Sequence, residues 1–291
     1  MSDHHKKIDE ATGVETTGHV WDGDLQELNK PLPRWWLYTF YASILWSIGY
    51  WIVYPAWPVG NDYTKGIWGY SQRAAVMEQV KEARAGQAEY RTALEKSTFA
   101  DISSNADLQR FATSYGASIF ATNCAPCHGR GAQGFKGYPN LNDDDWLWGG
   151  KIEDIEKTIA HGIRSDAAET RTSMMPRFGL DKILETAQID DTAEYVLSLS
   201  GQSKDAAAAE RGGKIFAEQC VACHGEKGTG NQELGAPNLS DGIWLFGSGK
   251  EDVVQSIVTG RGGKMPAWNT RLDPATVKSV AIYVHSLGGG K

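Results

Sequence analysis

At 291 residues the chain has room for two or three small domains, and its net charge of −7 gives no electrostatic support for binding nucleic acid. All four cysteines fall in two short motifs, which leaves none for the structural disulfides that staple many small secreted domains. The eleven tryptophans are unevenly spread, and their densest cluster lies early in the chain.

Residues 1–34 are polar and rich in Gly, Thr and Asp, and are expected to be irregular apart from partner contacts. No residue between Arg34 and Asp62 is charged. The run from Trp35 to Tyr54 has about the 20 residues that a helix needs to cross a bilayer. Trp35 and Trp36 stand at one end, and Trp51, Tyr54 and Trp57 at the other, as in aromatic belts at two interfaces. Pro55 and Pro58 then stop the helix. These features predict a transmembrane helix over 35–58. A cleaved signal peptide does not fit, because the polar leader is long, the apolar run is too long, and no clean small-x-small site follows. Lys6, Lys7, Lys30 and Arg34 precede the run while Lys65 and Arg73 follow it, so charge specifies orientation only weakly.

Residues 59–106 read as a linker. A Gly/Tyr/Trp-containing loop covers 59–70, and Ala74, Met77, Val80 and Ala83 predict an amphipathic spacer helix from Ser71 to Lys96. From Asp107 onward the chain repeats itself. Gly116-Ala-Ser-Ile-Phe120 matches Gly212-Gly-Lys-Ile-Phe216, Pro139-Asn140-Leu141 matches Pro237-Asn238-Leu239, and Met175-Pro176 matches Met265-Pro266. Trp146-Leu-Trp148 likewise matches Trp244-Leu-Phe246, and Tyr195 matches Tyr283. The pattern is a tandem duplication, 107–201 and 202–291, with the boundary in the small-residue linker Gln202 to Glu210. Leu108, Phe111, Tyr115, Ile119 and Phe120 form the apolar stripe of a helix entering the first repeat's motif. The last helix is expected to start at Asp191, with Glu194 three residues on, in repeat 1, and at Asp273-Pro274 in repeat 2.

Cys124-Ala-Pro-Cys127-His128 and Cys220-Val-Ala-Cys223-His224 carry the chemistry. C-x-x-C-H is the haem attachment signature: two thiols add across the haem vinyl groups, and the adjacent His ligates iron. Zinc would need a further Cys/His cluster, and a thioredoxin-like dithiol would need a βαβ setting. The motifs therefore predict two covalent haem c groups, which would also complete cores too small to stand alone. Because haem c is attached on the outer face of a bacterial inner membrane, the run 35–58 becomes a single-pass anchor. The N-terminus is then cytoplasmic and the haem domains periplasmic.

His128 and His224 are the proximal ligands. For the sixth position Met175 and Met265 stand in register, each before Pro, and a thioether there raises the potential of the iron. One residue of slippage would present Met174 instead. His161 and His285 break the repeat and are read as surface or hydrogen-bonded side chains; His4, His5 and His19 belong to the cytoplasmic segment. With both axial positions filled by protein, electron transfer is expected rather than catalysis within this chain. Trp146 and Trp244 are candidates for haem packing or for donating an indole N–H to a propionate, and core packing explains them as well. Arg164 and Arg261 are candidate propionate partners, with a solvated surface role as the alternative.

Over 107–290 the repeats resemble class I cytochrome c domains; with the anchor predicted above, the expected fold is all-α, one N-terminal transmembrane helix followed by two tandem cytochrome c domains. The resemblance implies that Gly116 and Phe120 cross a last helix bearing Tyr195, and that Gly212 and Phe216 cross one bearing Tyr283. It also implies that the carbonyls of Pro139 and Pro237 orient the proximal histidines. The leader Thr17-Gly-His-Val-Trp-Asp-Gly23 and Glu27-Leu-Asn-Lys-Pro-Leu-Pro-Arg-Trp-Trp36 resembles the di-haem subunit (subunit III) of cbb3-type cytochrome c oxidases. That resemblance covers essentially the whole chain, although residues Ser165 to Arg171 lengthen the first repeat's Met loop. It implies electrons received from a periplasmic cytochrome c and passed to a mono-haem cytochrome subunit, towards a catalytic haem–copper subunit. The competing readings are a stand-alone tethered di-haem shuttle and the cytochrome subunit of a periplasmic oxidoreductase.

Overall fold

The computed structural model describes residues 7–289 and is mostly helical. His4, His5 and Lys6 lie outside the described residues. The chain divides into two compact units, one within Met1–Ala85 and one within Gly86–Lys291.

The first unit corrects the expectation of an irregular leader. Strands β1 (Thr16–Trp21) and β2 (Leu25–Leu28) pair antiparallel, with Trp21 opposite Leu25. Asp22-Gly23 turns between them with positive φ at both residues, the geometry whose twist matches a tight hairpin. A second hairpin, β3 (Pro58–Val59) and β4 (Asp62–Tyr63), replaces part of the expected loop, so the chain is not purely α.

Between the hairpins runs α1 (Arg34–Val53), none of whose residues is buried. It stops earlier than the predicted 35–58. Pro55 has no N–H to give and drives Tyr54 into extended backbone (ψ 162). Its hydroxyls are satisfied internally: Thr39 Oγ1 donates to Trp35 O at 2.9 Å and Ser47 Oγ to Ser43 O at 2.8 Å. By mean hydropathy, no helix among the described residues is long and apolar enough to cross a membrane. In α1 that mean is lowered by four Trp and three Tyr, whose N–H and O–H count as polar although most of each ring is apolar.

Helix α2 (Gln72–Lys96) follows, and the predicted stripe is not its buried face: Met77 is exposed, and Leu94 is the buried residue. Leu94 packs in the second unit with Ile102 of α3 (Phe99–Ser104), Leu108 of α4 (Ala106–Asn123) and Ile282 of α11 (Pro274–His285). Thr98 and Asp101 form a capping box on α3, and Asn105 accepts from Leu108 N to cap α4.

Each repeat then supplies a one-turn helix carrying its motif, a middle helix and a last helix. The first repeat has α5 (Ala125–His128), α6 (Ile152–His161) and α7 (Thr186–Leu199). In the second, α8 (Ala206–Gln219) enters α9 (Val221–His224), followed by α10 (Lys250–Thr259) and α11. The cap at Asp273 is as expected: its carboxylate accepts from Thr276 N at 3.0 Å. Helix α7, however, begins before Asp191. Gln188 accepts from Glu185 N at 2.9 Å to cap it, and Asp191 and Glu194 lie mid-helix.

The expected crossings are exchanged between repeats. Gly116 of α4 lies against the backbone of Ser279 in α11, and Phe120 packs on Tyr283 with ring centroids 5.3 Å apart. Gly212 of α8 lies against Asp191 in α7, with Tyr195 and Phe216 at 5.0 Å. Two cores follow. One joins Phe120, Ile155 and Ile159 to Trp268, Val280 and Val284, and the other joins Ile189, Val196 and Leu197 to Phe216, Val253 and Ile257. The physical reason is that both last helices present the same Tyr and small residues, so each entry helix fits either. The short Ser200–Asp205 connection then puts α7 beside α8.

Glu194 holds that turn. Its carboxylate, 4 % exposed, accepts from Ser203 Oγ (2.7 Å) and Lys204 N (3.1 Å) and pairs with Lys250 Nζ (2.9 Å). The Ser203 hydroxyl first, then Lys250, holds the group down at about 2.

Two outcomes are expected. Gly116→Ala should destabilise the second unit by about 1–3 kcal/mol in denaturant melts, despite the better helix propensity of Ala, because its Cβ would collide with the Ser279 carbonyl. Because folding depresses the Glu194 pKa, its stabilisation is complete above pH 4.5 and lost as pH falls towards about 2. Wild type should therefore exceed Glu194→Gln in stability at pH 7, with the gap closing over that acid window; a gap constant from pH 7 to 2 would refute the assignment.

Candidate haem sites

Helix α4 delivers Cys124 at its C-cap, and one further turn brings His128 round, its N–H bonded to Cys124 O at 2.9 Å. The second motif repeats this, with His224 N bonded to Cys220 O at 2.9 Å. At the first motif the turn brings Cys124 and His128 onto one cleft. Burial, and then the neighbouring Cys127, pushes the Cys124 thiol up to about 11, and burial with Cys223 does the same for Cys220.

Each imidazole is oriented from behind. His128 Nδ1 lies 3.0 Å from Pro139 O, and His224 Nδ1 lies 3.0 Å from Pro237 O. Since a carbonyl only accepts, Nδ1 carries the proton and Nε2 is left with its lone pair for a metal. Burial lowers the pKa of both histidines and so favours the neutral, ligating form.

An apolar cleft of about 710 Å³, its open mouth included, runs beside His128. Its lining includes Phe120, Cys124, Trp146, Trp148, Met265 and Val284. At the second motif Met175, Cys220 and Trp244 pack against the core that contains Phe216 and Val253. Met174, the neighbouring candidate, is 63 % exposed. His161 Nε2 lies 3.6 Å from the Glu169 carboxylate.

The aromatic candidates differ between the sites. Trp146 Nε1 donates to Gly289 O near the C-terminus. Trp244 Nε1 is buried with no acceptor among the described residues, an arrangement costing about 1–3 kcal/mol unless something fills it. A carboxylate at the edge of an apolar macrocycle would satisfy it. The chain thus fits haem through thiols, imidazole, thioether, apolar walls and this orphaned donor.

Of the two arginines, Arg164 has its guanidinium on backbone, with Nε donating to Gly263 O at 2.7 Å and Nη1 to Ser173 O. Arg261 donates to Ser256 Oγ at 2.9 Å and lies over Phe246, 4.2 Å from the ring centroid. Its structural counterpart in the first repeat is Arg171, which bonds Thr158 Oγ1 at 3.2 Å and lies over Trp148 at 5.2 Å. The sequence reading paired Arg261 with Arg164 by counting from the middle helix; counted back from the Met–Pro pairs, Arg171 and Arg261 are in register, each four residues before the methionine.

Comparison with known proteins covers nearly the whole chain. A family model for the N-terminal domain of cytochrome oxidase-cbb3, FixP, matches residues 13–61, one for cytochrome c matches 113–200, and one for cytochrome c oxidase, cbb3-type, subunit III matches 207–284. The cbb3-type cytochrome c oxidase subunit FixP of Azorhizobium caulinodans is 53% identical over 289 residues, covering 99% of this chain and 98% of that one. Subunit CcoP of Azospirillum brasilense is 54% identical over 293 residues (98% and 99%), and that of Cereibacter sphaeroides 51% over 277 residues (95% of each). With tandem cytochrome c domains, which bind covalent haem c, behind a FixP-type N-terminal domain, the chain belongs to the FixP/CcoP family of cbb3-type cytochrome c oxidase subunits.

Proposed function

We propose that this chain is a membrane-anchored, di-haem electron-transfer subunit of a cbb3-type cytochrome c oxidase, accepting electrons from a periplasmic cytochrome c. It passes them to a mono-haem cytochrome subunit and so towards the catalytic haem–copper subunit. The observation that carries the reading is the repeated arrangement of attachment cysteines and a histidine held at Nδ1 by a proline carbonyl 3.0 Å away.

Haem, when bound, supplies a one-electron iron couple. Cys124, Cys127, Cys220 and Cys223 hold two such groups covalently, His128 and His224 give imidazole ligands, and Met175 and Met265 give thioethers. The protein's work is to keep these ligands fixed in both oxidation states, so that little reorganises when an electron arrives. A sulfur ligand raises the potential, and the apolar cleft around His128 disfavours the more highly charged ferric form in the same direction. The orphaned N–H of Trp244 is offered to a propionate, whereas Arg164 is spent on the backbone of both Met loops and Arg261 on Ser256 of α10.

For the anchor, support comes from α1. Its 20 residues reach about 30 Å, the thickness of a hydrocarbon core, and no charge follows Arg34. None of its residues is buried by protein, and its serine and threonine hydroxyls bond back to the helix. An aromatic surface of this extent is costly in water and favourable at a bilayer. On this reading the chain lies in the bacterial inner membrane as a single pass, N-terminus in the cytoplasm and haem domains in the periplasm.

Mild-detergent extracts should yield the chain together with haem b and copper, and pyridine haemochrome analysis of the purified chain should give two haem c. Recovery as a free di-haem monomer would refute the assembly. The chain should also stay with membranes through alkaline carbonate; release there would refute the single-pass anchor.

A further inference from the structure

We propose that the axial ligands are exchanged between the sequence repeats, so that His128 shares its haem with Met265, and His224 with Met175. This rests on the reading that His and Met fill both axial positions, and goes beyond it by assigning the partners. Several independent observations agree. Met265 lines the same apolar cleft as Cys124 and His128, together with Val280 and Val284 of α11. Met175, from the first repeat, packs instead in the core that holds Cys220, Trp244 and Phe216 of the second.

The backbone around the two Met–Pro segments is tied the same way. Ile163 N bonds Met265 O at 2.9 Å and Met265 N returns to Ile163 O at 3.0 Å, while Met175 N bonds Arg261 O at 3.1 Å. Beyond each methionine the pattern repeats: Trp268 N reaches Ile159 O and Phe178 N reaches Ile257 O, both at 3.1 Å. Each middle helix ends in a glycine at positive φ, Gly162 at +69° and Gly260 at +67°. A Cβ on Gly162 would strike Met265 O, and one on Gly260 would strike Met175 O. Every one of these contacts joins one repeat to the other. Arg164 adds a clasp between the loops, donating to Gly263 beside one methionine and to Ser173 beside the other.

The exchange means that neither repeat is a complete haem protein. Each supplies the attachment cysteines and imidazole of one site and the thioether of the other. A disturbance of one Met loop therefore reaches the second site through backbone bonds rather than through space.

The test uses the full-length chain with Cys220→Ser and Cys223→Ser, which keeps only the haem on Cys124 and Cys127. Adding Met265→Ala should abolish its low-spin reduced spectrum and open it to carbon monoxide, whereas adding Met175→Ala should leave both unchanged. Loss with Met175→Ala alone would overturn the exchange while keeping His–Met ligation. Loss with neither would overturn the ligand set itself. Should the single-haem chain not accumulate, the unaltered chain answers the question with labelled methionine methyls. In the reduced state the ring current of the haem marks the ligating methyls. The Met265 methyl should show proximity to Phe120 and Val284, and proximity to Phe216 instead would overturn the proposal.

Discussion

Two α-helices bring their backbones into contact only where no Cβ stands between them, and much of this molecule hangs on two such places. Gly116 meets the carbonyl of Ser279, and Gly212 meets that of Asp191. The close approach brings Phe120 onto Tyr283 and Phe216 onto Tyr195, and it sets the angle at which each entry helix delivers its cysteines. Apolar side chains of the last helices then form a wall of each site. Without the glycines the helices would separate, the wall would retreat, and the imidazole would face a gap rather than a cleft. Covalent chemistry at the cysteines thus depends on a contact made two turns earlier in the helix.

Around this contact the polar groups are arranged to leave little freedom. The proline carbonyls fix the imidazole tautomer, which a solvent-exposed histidine would not maintain. Glu194 converts a small-residue linker into a rigid corner by gathering a hydroxyl, a backbone N–H and an ammonium. The stacked Arg171 and Arg261 occupy equivalent places beside Trp148 and Phe246, although the sequence around them differs in length. Pseudo-symmetry is therefore kept in the contacts even where it is lost in the spacing.

Parts of the local geometry could be read from the residues. C-x-x-C-H carries the haem-attachment signature and Asp273-Pro274 caps α11 by short-range rules, whereas the proline carbonyls behind the histidines were implied by the family resemblance. What could not be read was which last helix serves which motif. A duplication makes the two helices nearly interchangeable in pattern, so the choice lies in the connection and in contacts far apart in sequence. The start of α7 was misplaced because Asp191/Glu194 and Glu185/Gln188 both have capping spacing, and only burial of Ile189 and Ala193 separates them. The leader's hairpin carried a legible signal in Asp22-Gly23 that polar composition masked.

The crossing of the last helices also imposes an order on folding. Helices α7 and α8 are neighbours along the chain, so closing their contact costs little loop entropy and they can dock as soon as both are made. Helix α4 must instead wait for α11, from Gly116 to Ser279, with the rest of the first repeat and most of the second between them. The first attachment motif to be synthesised therefore belongs to the last core to close. Until then the cleft beside Cys124 and His128 lacks the wall that Val280 and Val284 give it, while α7 and α8 can already pack around Gly212.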